Sequence, residues 1–449
     1  MRTYYLRSFG CQMNEHDAER LRHLLESEGL APVGEPEAAD VLVYNTCTVR
    51  ESADERLAGH LSGAARLKRE HPGRVVLVTG CLPQAEGAAL FERFPFVDGI
   101  LGPQNVHRLP GLLEAAVART ASGCAEAPPG RPAFVEDGPQ MSGELPGRRA
   151  RPFQAWVQVM SGCTNFCSYC IVPYVRGPER SRRPGAIEAE VRDLVADGVR
   201  EVTLLGQNVN AYGRDLRGAG EAGGGKAVDF PALLARLDGV DGLDRLRFVT
   251  SHPKDLSERL IDAVAGLPSV CEHVHLPLQS GSDRILEAMR RGYTAEGFLD
   301  LVRRLRAAVP GVSVTTDLIS GFPGETEDDF AATLSAVEEA AFDAAFTFVY
   351  SPRRGTAAAE LPGQVPEDVR RERVARLVEV TQGLALAAHR RWVGRRVEVL
   401  VEGPSRHPGG VRGRTRQHVT VNFGGAAAAG TIVEVEITGA TSTTLAGRR

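Results

Sequence analysis

Three cysteines, Cys163, Cys167 and Cys170, stand in the run Ser161-Gly-Cys-Thr-Asn-Phe-Cys-Ser-Tyr-Cys170, a C-x3-C-x2-C spacing. Steps of four and three residues bring the sulfurs to one side of the backbone, whether the segment is a loop or a helical turn. They can hold one inorganic centre, and the surrounding fold has to present that segment accordingly. A structural zinc site closes with four ligands, yet no Cys or His lies between Cys170 and His252. Unless a distant residue such as His252 or Cys271 completes it, the triad leaves one coordination position open. Thiolates suit zinc and iron-sulfur clusters, and a 4Fe-4S cluster on three Cys exposes one iron to an exogenous ligand.

At 449 residues the chain exceeds one ordinary core. Its patterning divides it into residues 1–118, a linker at 119–150, a central domain at 151–380 and a module at 381–449. The net charge of -4 gives no overall basic excess that would announce nucleic acid. The distribution says more: from His389 onward ten Arg and no Lys face four Glu, which leaves the rest of the chain near -10. The start lacks the apolar run of a signal peptide, and no stretch is long enough to span a bilayer. A cytoplasmic protein without a membrane partner is therefore expected. Of eight Cys, six fall into two sets of three, which points to metal binding rather than disulfides. Cys124 and Cys271 read as ordinary thiols.

The first 118 residues alternate strand-like runs (Tyr4 to Phe9, Val41 to Tyr44, Val75 to Val78) with helical ones (Asp17 to Glu28, Glu51 to Glu70). This predicts a doubly wound parallel sheet. Cys11, Cys47 and Cys81 each follow a strand, at separations of 36 and 34 residues, about one βα repeat. Carboxyl ends of parallel strands meet along one edge, so the three converge there as a second three-Cys set. Three buried thiols in a hydrophobic sheet are the alternative.

From Phe153 six further strand runs alternate with helices: Trp156 to Met160, Glu201 to Leu205, Leu246 to Thr250, Val274 to Pro277, Ser313 to Ile319 and Phe346 to Tyr350. They predict an α/β partial barrel of six units with its chemistry at the strands' carboxyl ends. The Cys163 loop, Gly206-Gln-Asn-Val-Asn210, Thr250-Ser-His-Pro253, Leu276-Pro-Leu-Gln-Ser-Gly-Ser282 and Ser320-Gly-Phe-Pro-Gly-Glu-Thr326 all fall there. The last of these stretches reads equally as a turn plus helix N-cap, with Glu325 serving that helix's dipole, and His252 and His275 read as packed or hydrogen-bonded residues. Arg176, Arg180, Arg182 and Arg183 suit either an anion grip or a solvated basic loop. The Gly-rich stretch Arg217 to Lys226 reads as a mobile surface insertion.

Beyond a long helix, about Pro366 to His389, short strands at Val397 to Val401, His418 to Val421 and Thr431 to Ile437 predict a small β-barrel. Arg395, Arg396, Arg406, Arg412, Arg414 and Arg416 supply positive charge there, and Phe423 a stacking face for RNA. A charged patch without a ligand is the plainer reading.

The Cys163 motif, with Tyr169 just before the last Cys, resembles the radical S-adenosylmethionine (SAM) superfamily. Phe9-Gly-Cys-Gln-Met-Asn14 and the second Cys set make nearly the whole chain similar to the methylthiotransferases within it, and the final barrel resembles a TRAM domain. The resemblance implies two 4Fe-4S clusters, a radical one on Cys163, Cys167 and Cys170 and an auxiliary one on Cys11, Cys47 and Cys81. It places SAM at Tyr169, Gly206, Asn208, Gln279 and Gly321. It also implies a radical that takes hydrogen from adenine C2 before sulfur insertion, with an external electron donor and sulfur source, acting as a monomer.

Leu205-Gly-Gln-Asn-Val-Asn210, Thr250-Ser-His-Pro253 and Leu278-Gln-Ser-Gly-Ser-Asp283 are most similar to the branch acting on tRNA, at an isopentenylated adenosine beside the anticodon. Sister branches act on threonylcarbamoylated adenosine or on a ribosomal-protein aspartate. A non-enzymatic iron-sulfur RNA-binding regulator is the reading from another class.

Overall fold

The computed structural model describes residues 1–48, 51–121, 130–138, 142–216, 228–406 and 409–449. Cys124 and the Gly-rich stretch 217–226 lie outside them. The chain forms two compact units: Met1–Ala150 with Val157–Thr164 and Ile171–Arg180, and Arg151–Trp156 with Asn165–Cys170 and Ser181–Arg449.

The first unit is built on strands β1 (Thr3–Ser8), β2 (Ala31–Pro32), β3 (Val41–Thr46), β4 (Val75–Gly80), β5 (Gly99–Leu101) and β6 (Ala133–Phe134). They form one parallel sheet in the order β2-β1-β3-β4-β5-β6. Every residue of β3 and β4 is buried, so both read as continuous apolar runs, as strands covered on two faces must. Leu42, Tyr44, Val76 and Val78 meet Leu57, Leu61 and Leu67 on one face. Val41, Val43, Val75 and Leu77 meet Leu21, Leu25, Leu109 and Leu112 on the other. Helices on both faces make the sheet doubly wound, and β1, β3 and β4, the strands that precede the three Cys, are adjacent in it.

The chain continues through β7 (Gln154–Gln158) and a short ladder of β8 (Met160–Ser161) with β9 (Arg180–Ser181). Then follow β10 (Glu201–Leu205), β11 (Arg245–Phe248), β12 (His273–His275), β13 (Ser313–Ser320) and β14 (Ala344–Val349). Two three-stranded sheets, β11-β10-β7 and β12-β13-β14, are joined by a parallel bridge between Leu246 and Val270. The result is an open barrel of six strands. Its return helices start on caps the sequence supplies: Ser257 and Thr294 each accept a backbone N–H, and Thr326 forms a capping box with Asp329.

Five strands close the carboxyl-terminal barrel in the order β15-β16-β17-β19-β18. They are β15 (Arg396–Pro404), β16 (Gly410–Thr415), β17 (Thr420–Gly424), β18 (Ile432–Ala440) and β19 (Thr444–Arg448). Two of them, β16 and β19, escape the sequence reading, because Gly and Arg interrupt their apolar residues. Phe423 is not a stacking face: it is 3% exposed and belongs to the barrel core with Val399, Val421 and Ile437. Position sets this, since Val419, Val421 and Phe423 share one face by the two-residue period and that face is inward.

Arginine fixes this barrel to the second unit's open barrel. The fully buried Arg245 donates to Glu398 Oε1 at 2.8 Å and to the Arg414 carbonyl at 2.8 Å. Arg247 donates to Glu201 Oε2 at 2.9 Å and to the Thr415 and Arg416 carbonyls at 2.7 and 2.6 Å. Arg416 reaches Glu272 at 2.8 Å, and the rings of His273 and His418 stack with centroids 5.1 Å apart.

Burial, reinforced by nearby arginines, holds His273 and His418 well below the ordinary histidine pKa. Both stay neutral in the folded state, while the unfolded chain protonates them near pH 6.5. Their contribution to stability is full above that pH and is lost as pH falls below it. Thermal melts are expected to shift down between pH 7.5 and 5.5, and His418→Asn is expected to shrink that shift.

Candidate functional site

In the first unit, tight turns at the ends of β1, β3 and β4 assemble the three Cys. Cys11 is the N-cap of the helix Gln12–Ser27, Cys47 follows β3, and Cys81 begins the helix Cys81–Glu86. Gly10 has φ +120° and Gly80 φ +96°. A Cβ on Gly10 would sit 2.3 Å from the Cys47 Cβ, and one on Gly80 would sit 2.3 Å from the Thr46 carbonyl, so only glycine lets the loops approach. A buried amide ties them together: Asn14 Nδ2 donates to the Phe9 carbonyl at 2.9 Å and to the Thr46 carbonyl at 2.7 Å.

A hydrogen bond from Cys47 draws the Cys11 pKa down to about 6, against the opposing effect of burial and with help from Arg176. Burial pushes the Cys81 thiol up, while Arg176 works in the other direction. Arg176, 6% exposed, donates to Asp17 Oδ2 at 2.9 Å and to Asn14 Oδ1 at 3.3 Å. Burial opposes its charge, but Cys81, Asp17 and Cys11 outweigh that and keep the guanidinium protonated. Cys81 also packs with Ile171, the residue after Cys170, and with Val175. The donor set fits a cluster: three soft sulfur ligands on a glycine-shaped edge with a fixed cation beside them.

Of the motif cysteines, Cys163 and Cys167 are each 8% exposed and Cys170 is partly exposed. The Cys163 N–H is held by the Gly177 carbonyl at 3.1 Å, and the Cys170 N–H by the Cys167 carbonyl at 2.9 Å. A residue absent from the sequence expectations stands against this loop. Arg291, 4% exposed, donates to Cys167 Sγ at 3.3 Å, Tyr169 Oη at 3.4 Å and the Pro277 carbonyl at 3.0 Å. Nothing periodic separates it in sequence from its exposed neighbour Arg290. The signal is the Arg-Arg-Gly-Tyr turn, in which positive φ at Arg290 and Gly292 turns one arginine inward.

The predicted SAM-contacting residues sit at the strand ends of the second unit. Tyr169 packs against the apolar cluster that includes Met289, Phe322 and Tyr350, and burial raises its pKa well above the ordinary phenol value. Gly206 follows β10, and Asn208 Nδ2 donates to Asp255 Oδ2 at 2.8 Å. Gln279 has φ +72°, and its N–H donates to the Asp317 carbonyl at 2.9 Å. At Gly321, φ +81°, a Cβ would lie 2.1 Å from Arg370 Cγ, so packing against that side chain already demands glycine. The loops are linked: Asn210 Nδ2 donates to the His252 carbonyl at 2.9 Å, the His252 ring meets Tyr293 at 5.8 Å, and Tyr293 donates to the Pro277 and Leu278 carbonyls.

Along these loops Gln207 Oε1, Asn208 Oδ1, Ser251 Oγ, His252 Nε2 and Gln279 Oε1 are buried without a protein partner. Buried polar groups in folded proteins mostly find a hydrogen-bond partner, and the gathering of these atoms on neighbouring loops fits a ligand rich in hydroxyl, amine and carboxylate groups, as SAM is. Burial and the nearby Arg291 hold the His252 pKa down to about 2, so the ring is neutral.

Among the other expectations, the turn-plus-N-cap reading of Gly321 to Thr326 holds, with Thr326 as the cap, while Glu325 accepts from the Gly321 N–H at 3.0 Å and from Arg373 at 2.8 Å. Arg176 and Arg182 are not part of a solvated loop: both are buried, Arg176 paired with Asp17 at 2.9 Å and Arg182 with Glu190 at 2.6 Å. Arg180 donates to the Gly138 carbonyl, and Arg183 is exposed. His252 Nδ1 accepts from the Lys254 N–H at 3.3 Å, and Cys271 Sγ lies 4.0 Å from the Ser269 carbonyl.

The chain matches the Radical SAM superfamily over residues 157–337, the Uncharacterized protein family UPF0004 over 3–102 and the TRAM domain over 390–448. It is 48% identical to the tRNA-2-methylthio-N(6)-dimethylallyladenosine synthase of Moorella thermoacetica, covering 99% of this chain and 98% of that one. To the enzyme of the same name from Pelotomaculum thermopropionicum it is 46% identical, covering 100% and 97%. Among solved structures, the radical SAM methyltransferase TsrM of Kitasatospora setae superposes with a TM-score of 0.56 at 17% identity, covering 80% of this chain and 77% of that one. The likeness is one of fold.

Arg176→Met would remove the guanidinium that compensates the buried Asp17 carboxylate, 2% exposed. A loss of about 3–5 kcal/mol is expected in urea unfolding, and Arg176→Met combined with Asp17→Asn should recover part of it.

Proposed function

The chain belongs to the family of tRNA-2-methylthio-N(6)-dimethylallyladenosine synthases, and from that premise we propose how its residues serve the reaction. It is a radical SAM transferase that adds a methylthio group to N6-dimethylallyladenosine in tRNA, with iron-sulfur and SAM as its cofactors. In our reading Cys163, Cys167 and Cys170 hold one 4Fe-4S cluster and Cys11, Cys47 and Cys81 a second. When bound, these groups and SAM supply the radical and the sulfur for C2 of the base beside the anticodon. A one-electron donor and a sulfur source come from outside the chain, which acts as a monomer. Among the described residues no helix is long and apolar enough to cross a membrane.

The observation that carries the two-centre reading is the pairing of each three-Cys set with one buried arginine. Arg291 fixes Cys167 and Tyr169 through a single guanidinium, and its charge offsets a thiolate in a site of low dielectric. Arg176 does the same for Cys81 and Cys11. Tyr169, Gly206, Asn208, Gln279 and Gly321 line the SAM site, joined by Gln207, Ser251 and His252, whose polar atoms await a partner. With Nδ1 accepting from the Lys254 N–H, the neutral His252 ring carries its proton on Nε2 and can donate without adding charge, which suits a zwitterionic ligand. On the barrel module Arg395, Arg396 and Arg406 remain exposed to meet phosphate, whereas Arg412 and Arg414 are paired with Glu402.

Two measurements test this. Anaerobic reaction of the reconstituted, reduced protein with SAM and isopentenylated tRNA lacking the methylthio group should add that group to the adenosine, read by mass spectrometry. No gain should appear on unprenylated tRNA, on threonylcarbamoylated tRNA or on ribosomal protein. Changing Cys11, Cys47 and Cys81 together to Ala should remove about half of the iron while SAM cleavage persists. Iron equal to wild type would sink the second centre.

A further inference from the structure

Inside the open barrel, β12, β13 and β14 present His275, Asp317 and Phe346 on one concave face. The register pairs Asp317 with Phe346, and His275 with Thr315 two residues earlier on the same face of β13. The rings of His275 and Phe346 stand 6.1 Å apart in a T-shaped arrangement. Their strands are separated by β13, and neighbouring strands lie about 4.8 Å apart, so the rings meet only if the sheet curves around that face.

Phe346 is 52% exposed, unusual for a large aromatic inside a barrel. Beside it Asp317 keeps a side-chain exposure of 28% and its carboxylate lies 3.4 Å from His275 Nε2. His275 Nδ1 is held in turn by Thr315 Oγ1 at 3.0 Å, which fixes the ring. The face thus offers a bare aromatic plane and, at its edge, an oriented group that only accepts hydrogen bonds while ionised. Two residues further along β13, Ile319 on the same face packs against the apolar cluster of Met289, Phe322 and Tyr350 that Tyr169, the partner of Arg291, also flanks. The platform therefore lies about 7 Å along the strand from a residue contacting the Tyr169 cluster.

We propose that this platform receives the splayed-out N6-substituted adenine of the tRNA: Phe346 stacks on the base and its apolar N6 substituent, and Asp317, oriented by His275, accepts the single N6–H. The inference rests on the substrate assigned above. The complementarity is specific: an N6-alkylated adenine has one N–H donor on that edge, a π face and an apolar tail, and the platform has one acceptor beside an unoccupied ring. His275 and Thr315 are positioning residues for the carboxylate.

The test uses the full chain and a fluorescent anticodon stem-loop RNA carrying either N6-isopentenyladenosine or adenosine, followed by anisotropy. Wild type should prefer the prenylated RNA, and Phe346→Ala should lose about tenfold in affinity for it, the scale of one stacked base, with the affinity for the unmodified RNA changing less. Phe346→Trp should retain the preference, and Asp317→Asn should weaken it and raise the KM for prenylated tRNA more than it lowers kcat. Unchanged thermal melts would exclude misfolding. Retained preference in Phe346→Ala, or a raised KM for SAM in place of RNA, would overturn the proposal. So would a wild-type chain that methylthiolates only prenylated tRNA yet binds both RNAs equally. A chain that modifies neither overturns the assigned function, and the platform with it.

Discussion

A sulfur ligand inside a protein has to be charge-compensated, because a thiolate in a low-dielectric interior is costly without an opposite charge nearby. Both cysteine sets meet this constraint with a buried guanidinium. Arg291 reaches Cys167 from the turn after the helix Asp283–Ala288, and Arg176 lies against Cys81 and Cys11 from the segment that follows the motif loop. Each arginine is itself held by further acceptors, Pro277 for one and Asp17 for the other. The turns, the glycines that narrow them and the buried amide of Asn14 serve to place sulfur beside a fixed positive charge. Arginine suits this better than lysine, since its fork can satisfy a sulfur and two oxygens together.

Much of this was legible in the chain. Strand β3 and strand β4 announce themselves as unbroken apolar runs, and a Cys just past each fixes where the sulfurs go, because parallel strands leave their carboxyl ends on one edge. The open barrel was readable for the same reason. Its loops are rich in Gly, Asn, Gln and Ser, and they fall after strands. What escaped was anything decided by side-chain direction. Arg291 and Arg290 are indistinguishable in sequence, and only the turn sends one inward. Arg176 looked like part of a basic surface, but its partner Asp17 lies 159 residues away. Phe423 looked available, but a two-residue period places it inside a closed barrel.

The same limit applied to the carboxyl-terminal module. Its positive charge is real in the sequence, yet much of it is internal to the structure. Arg412 and Arg414 are matched by Glu402, and Arg416 by Glu272. Charge counting overstates the surface left for nucleic acid: of the six arginines expected to meet it, Arg395, Arg396 and Arg406 are the exposed ones. A few phosphate contacts give modest, salt-sensitive affinity that positions an RNA rather than reading its sequence.

The buried arginines Arg245 and Arg247, which tie the five-stranded barrel to β11, bear on how a target nucleotide is chosen. Had the module hung from a flexible tether, it would raise local RNA concentration and leave the choice of base to the chemistry below. Locked through main-chain carbonyls and the Arg245–Glu398 ion pair, it would instead act as a ruler. An RNA gripped at its outer edge would lower into the open barrel only the nucleotide at one set span from that grip. Selection by distance would thus precede selection by shape.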